Sequence, residues 1–179
     1  MPHNIPAFFD SYANLYNRAL AGEDVFGEIA SRFSPRFIAA GPDGVSTGKH
    51  GAAFRRMLAR GYAFYRLIGT RRMIAKRVET TRIDANHMMA KVFYCAEYRK
   101  PDGSDLRLEF DVTYFLDVST TKPKISGVVS GDVNARAFTD PHATSRAQND
   151  ATRRLHRSAI DAAKAHSCRA PAICPRSRA

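Results

Sequence analysis

The sequence predicts an α+β fold in which three N-terminal helices cover one face of a curved antiparallel sheet. Three observations carry this. Apolar residues recur at helical spacing through the first third of the chain, and the period changes to two from Thr70 onward. All 18 aromatic residues lie at or before Phe138, so the folded unit ends near there. Helices first and strands afterwards give segregated layers rather than alternating βαβ units.

Each element has a local reason. Phe8, Tyr12, Leu15, Tyr16 and Ala19 share one helical face, and Ala21-Gly22 ends that helix. Glu23 and Asp24 suit the start of a short second helix, where carboxylates meet the positive end of the dipole. Arg36 to Ala40 reads as a short strand, and Gly41-Pro42-Asp43-Gly44 as the turn into Val45-Ser46-Thr47. A third helix runs from about His50 to Arg66, with Phe54, Met57, Leu58, Tyr62 and Tyr65 on one side. Two-residue alternation then predicts strands over 71–83, 88–99, 106–118 and 125–133, the first two joined by Asp84-Ala85-Asn86-His87.

Composition divides the chain in two. A domain is expected over residues 5–138 and a basic Ala/Arg-rich tail over 139–179, disordered or weakly helical. Residues 141–179 hold 8 Lys and Arg against 2 Asp, with no aromatic residue, and so lack the apolar area to offset chain entropy. The chain carries a net charge of +11 in 179 residues. No apolar run reaches the ~18 residues of a membrane span, and Met1 to Asp10 has no basic-then-apolar signal pattern. Three cysteines, Cys95, Cys168 and Cys174, make no disulfide framework. The expected location is cytoplasmic, with no membrane partner.

A hairpin turn centred on Asp102-Gly103 would pair Tyr94 with Asp111 and Cys95 with Phe110. One face would then carry Tyr94, Asp111, Glu109, Thr113 and Phe115, beneath the helix bearing Tyr12 and Tyr16. The other would carry Phe93, Val112 and Tyr114. Two partly apolar faces imply two covers, the helices and a second subunit, hence a homodimer. Buried carboxyls at Asp111 and Glu109 would repel one another and supply a general acid near neutral pH. A slip of one residue would exchange the faces.

The order helix, short helix, hairpin, helix and long meander resembles the conical, cystatin-like fold of the nuclear transport factor 2-like superfamily. That group includes SnoaL-like cyclases, ketosteroid isomerases and scytalone dehydratase. Local cues are Phe33-Ser34-Pro35-Arg36-Phe37, Gly48-Lys49, and Glu109-Phe110-Asp111-Val112-Thr113-Tyr114. The resemblance to ketosteroid isomerase implies oxyanion donors at Tyr16 and Asp111. It places the general base at Gly41, which has no side chain to accept a proton.

The expected catalytic set is therefore Tyr16 and Asp111 as proton donors, with Glu109 as base. The expected ligand contacts are Tyr12, Tyr94, Thr113, Phe115 and Ser130. The function this implies is binding of a small apolar or aromatic molecule in a conical pocket, with isomerase-, dehydratase- or cyclase-like acid–base chemistry. The alternative is a non-catalytic ligand-binding or dimerisation module, and a third is nonspecific nucleic-acid binding by the tail. The tail lacks aromatics for base stacking, which weighs against nucleic acid.

No cofactor and no metal are expected. Gly44-Val45-Ser46-Thr47-Gly48 matches a serine-elbow string but lacks the parallel sheet that the elbow needs. Gly48-Lys49-His50 lacks the residues of a phosphate loop. The six histidines show no metal spacing, and His50 and His87 read as solvated.

Removing residues 141–179 should shift the melting temperature by no more than about 2–4 °C, since little core is lost. Calorimetry on the truncated chain checks this, and a truncated chain that fails to fold would move the domain boundary.

Overall fold

The computed structural model describes residues 3–42, 44–100 and 102–131. The expected tail and the end of the last expected strand lie outside them. The elements are α1 (Ile5–Leu20), α2 (Phe26–Ala30), β1 (Phe33–Gly41), β2 (Gly44–Lys49), α3 (Ala52–Leu67), β3 (Thr70–Arg82), β4 (His87–Arg99), β5 (Asp105–Asp117) and β6 (Lys124–Ser130). The α+β architecture is as the sequence predicts.

The strands form one curved six-stranded sheet in the order β2-β1-β6-β5-β4-β3. Neighbours pair antiparallel except β1 and β6, which run parallel. That parallel pairing attaches the small hairpin to the meander.

α1 begins where Asn4 Oδ1 accepts the Ala7 N–H at 3.0 Å, and Pro6 sits in the first turn, where its missing N–H is no loss. Gly22 ends it at φ 96, a conformation that glycine adopts without strain. The inward side of α1 buries Ile5, Phe8, Phe9, Leu15, Ala19 and Leu20. Asn17 then locks the helix to the edge strand β3. Its Nδ2 donates to Met73 O at 2.9 Å, and its Oδ1 accepts the Met73 N–H at 2.8 Å.

The β4–β5 register differs by one residue from the expected one. Tyr94 faces Phe110, Phe93 faces Asp111 and Cys95 faces Glu109. The reason is loop length. Lys100 N–H donates to Ser104 O at 2.8 Å, so Pro101, Asp102 and Gly103 lie between the closing residues. A two-residue primed turn centred on Asp102-Gly103 needs left-handed backbone at its first position, Asp102, and in type I′ at both. Gly103 alone supplies it, at φ 84, while no non-glycine residue described has positive φ. Ser104 donates to Asp102 Oδ1 through its amide at 2.8 Å and its hydroxyl at 2.6 Å, which holds that carboxyl below the usual range.

This register places Ala90, Val92, Tyr94 and Ala96 of β4 beside Val112, Tyr114 and Leu116 of β5, all buried under the helices. The expectation that Val112 and Tyr114 face a partner subunit is thereby corrected. Both are core residues of the single chain, and of that expected set only Phe93 lies on the outer face. Phe9, Ile5, Leu116 and Ile125 close one end of the interior, each almost fully buried. Among the described residues, no helix is long and apolar enough to cross a membrane.

Gly48 shows how tightly the hairpin wall is packed. A Cβ there would lie 2.1 Å from the Phe37 ring, and that ring is held by Phe33 and Phe54 at centroid distances of 4.8 and 4.9 Å. Gly48→Ala should therefore destabilise the fold by about 1–3 kcal/mol, the range for overpacking a filled core. Urea denaturation measures it, and an unchanged midpoint would mean the Phe37 ring moves freely.

Candidate functional site

Two-residue periodicity sorts the expected site residues onto opposite faces of the sheet. Tyr94 and Ser130 lie on the inner face, and Tyr12 and Tyr16 reach it from α1. Asp111, Glu109, Thr113 and Phe115 lie on the outer face, where the helices do not cover them. Asp111 pairs there with Lys91, Nζ to Oδ2 at 3.4 Å. Glu109 is exposed opposite Cys95, and Phe115 packs across the strand over Gly127. The carboxyl pair expected in the pocket is therefore not brought together with the tyrosines.

What the inner side carries instead is phenol. All seven tyrosines of the chain turn inward: Tyr12 and Tyr16 from α1, Tyr62 and Tyr65 from α3, Tyr94 and Tyr98 from β4, and Tyr114 from β5. Tyr94 and Tyr114 join hydroxyl to hydroxyl at 3.1 Å. Tyr114 packs on Phe9 and Tyr12, at centroid distances of 4.7 and 6.4 Å, and Tyr94 packs on Phe110 at 5.6 Å. At the other end, Tyr16 meets Tyr62 at 4.8 Å and Tyr65 at 5.6 Å. Among the described residues no hydrogen bond engages the hydroxyls of Tyr12, Tyr16, Tyr62 or Tyr65.

Burial pushes each of these phenols up, and the neighbouring phenols add to it for Tyr12, Tyr16, Tyr62 and Tyr114. Tyr65 and Tyr94 are raised by burial, and Tyr98 is pushed up to about 12. The interior is therefore a set of neutral hydroxyls, each able to donate a proton in a hydrogen bond. Among the described residues, Thr70 is the only buried polar or charged residue, and no Asp or Glu shares the inner face.

Ser130 lies opposite Val112, its Oγ 3.5 Å from Ala40 O. Gly41 adjoins it, since a Cβ at Gly41 would stand 3.5 Å from Ser130 Oγ. The position that the resemblance assigns to a general base is thus beside the inner wall, without a side chain.

Against the expectation of a solvated ring, His50 Nε2 is buried with no hydrogen-bond partner among the described residues, and the ring stacks on Phe54 at 6.2 Å. The signal was available in the alternation Ser46, Gly48, His50, which puts His50 on the same side as Gly48 under Phe37.

A curved sheet covered on one face by α1 and α3 is the architecture of the NTF2-like class. A family profile described as "NTF2-like protein (DUF6841)" matches residues 3–133, and the chain belongs to that family. Solved structures agree on the fold. A variant of Mycobacterium tuberculosis Rv3472, a protein of unknown function, superposes with TM-score 0.59 at 15% identity, over 90% of this chain and 92% of that one. A Novosphingobium aromaticivorans protein carrying the name scytalone dehydratase gives 0.53 at 12% identity, over 70% and 78%. An NTF2-like protein with a cystatin-like fold from the same organism gives 0.52 at 10%, over 69% and 78%. A search of curated protein sequences finds no match.

The phenols set a pH dependence. A tyrosine raised in the folded state keeps its full contribution below its unfolded value of about 10. As pH rises further, the unfolded chain ionises first, so stability falls, and for Tyr98 the loss continues through about 12. Phenolate absorbance should therefore stay flat until the fold is lost and then rise in one step. Phenolate appearing near pH 10 with the fold intact would show that the tyrosines are solvated.

Proposed function

We propose that the cone binds a small, flat, largely apolar molecule carrying a carbonyl or similar acceptor, held by neutral phenol donors. The observation that supports this is the Tyr94–Tyr114 pair within a wall of aromatic rings. In a hydroxyl pair one proton is committed to the partner and the other is left to donate. Ring faces and edges take up the apolar body, and the phenol fixes the polar end, a division of labour usual for small-molecule sites.

Binding is favoured over turnover because the described inner face has no carboxylate and Gly41 offers no base. His50 keeps acid–base chemistry as the second reading, since its imidazole Nε2 is buried with no partner among the described residues.

Acetophenone and ethylbenzene have nearly the same shape and differ in one carbonyl. Wild-type protein should bind the ketone more tightly, by ligand-observed NMR, and Tyr94→Phe or Tyr114→Phe should reduce that preference about fivefold, in keeping with one hydrogen bond. Equal affinity for both compounds in wild type would rule out the phenol-donor reading.

The outer face supports the homodimer as a proposal. Phe115, Val129, Ile38 and Val45 lie there at 40%, 44%, 52% and 68% exposure, in adjoining positions across β5, β6, β1 and β2. An apolar row of this kind on one sheet face is where a second copy would fit. Light scattering should give a dimer, and Phe115→Asp should give a monomer. A wild-type monomer at micromolar concentration would contradict it.

A further inference from the structure

A concavity lies away from the tyrosine interior, where the ends of α1 and α3 meet the start of β3 and the end of β4. It is a cleft of about 450 Å³ lined by Asn17, Leu20 and Ala21 from the end of α1, by Arg66, Gly69, Thr70 and Arg71 around the α3–β3 junction, and by Arg99. That size is within the range of small-molecule sites. Three of its lining residues are arginines and none is acidic.

The backbone builds this juxtaposition. Gly69 has φ 83, and a Cβ there would lie 2.2 Å from Arg99 O, so glycine is required for the two strands to approach. Arg99 N–H donates to Gly69 O at 2.8 Å, which seats the end of β4 beside Thr70 and Arg71. Arg66 Nη1 donates to Ala19 O at 2.8 Å, fixing its guanidinium against the last turn of α1. Asn17, clamped on Met73, holds that turn in place.

The charge does not cancel locally. Arg99 is paired with Asp105, Nε to Oδ1 at 3.2 Å. Arg66 is bonded to a neutral carbonyl, and Arg71 has no ion pair among the described residues. Neither Arg66 nor Arg71 therefore has a carboxylate partner among the described residues, although Arg66 meets the negative end of the α1 dipole at Ala19 O. Thr70, at 5% exposure, lines the cleft too, and among the described residues its hydroxyl makes no hydrogen bond of standard geometry although the Tyr98 phenol is nearby.

We infer that this cleft binds the phosphate group of a small phosphate monoester. Guanidinium groups offer paired N–H donors that match phosphate oxygens. Two guanidinium groups without carboxylate partners among the described residues suit a monoester dianion, and Leu20 and Ala21 provide an apolar wall for its carbon part. The site is separate from the phenol interior and does not rest on what that interior binds.

Calorimetric titration of the full chain with phenyl phosphate tests this, with amide shifts at Gly69, Thr70 and Arg99 locating the binding. Arg71→Ala and Arg66→Gln should each weaken binding roughly tenfold or more, the loss expected for a charge-assisted contact. Arg56→Ala, on the exposed part of α3, should leave it unchanged. Equal losses in all three variants would reduce the effect to net charge and overturn the inference. So would saturation without amide shifts at the cleft, or no binding at millimolar ligand. An RNA oligonucleotide binding through these arginines while phenyl phosphate does not would also overturn the monoester assignment.

Discussion

The pairing of Tyr94 with Phe110 determines what the interior of this protein is made of. Side chains alternate across a sheet, so one pairing assigns every residue of β5 to a face. With this register Phe110, Val112, Tyr114 and Leu116 turn toward the helices, and Glu109, Asp111 and Thr113 turn away. A slip of one would put two carboxyls under α1 and expose the Tyr114 ring. Desolvating two carboxylates without partners costs far more than desolvating phenols that share a hydrogen bond. The loop from Lys100 to Ser104 and the apolar alternation of β5 therefore enforce the same arrangement.

The consequence for function is an interior of neutral hydroxyls among rings. Phenols with raised pKa donate hydrogen bonds without carrying charge, which suits recognition of a carbonyl more than removal of a proton. α1 links this interior to the arginine cleft. Its inward face supplies Tyr12 and Tyr16, and its last turn supplies Asn17, Leu20 and Ala21. The tyrosine interior and the cleft are thus positioned by one helix, and that helix is held to the sheet edge through Asn17.

Much of this was legible in the sequence. Helical spacing of Phe8, Tyr12 and Tyr16, and of Phe54, Leu58, Tyr62 and Tyr65, located both helices and their buried sides. The parity of β4 was legible too, with Tyr94 inward. β5 was inverted because an Asp-Gly pair was read as a two-residue turn, whereas only Gly103 adopts the left-handed conformation. The alternation Leu106, Leu108, Phe110, Val112, Tyr114 and Leu116 within the strand is the signal that points to the observed face. The parallel β1–β6 pairing and the arginine cleft were not legible, because both come from residues far apart in sequence meeting in space.

The measurement that tests this account most directly is an aromatic NOE experiment on protein with labelled tyrosine and phenylalanine. The account predicts cross-peaks between the Tyr94 and Phe110 rings, whose centroids lie 5.6 Å apart, and between the Tyr114 and Phe9 rings at 4.7 Å. Cross-peaks from Tyr94 to the Asp111 side chain, with none to Phe110, would contradict it, since they would return the carboxyl to the interior and turn Tyr114 outward.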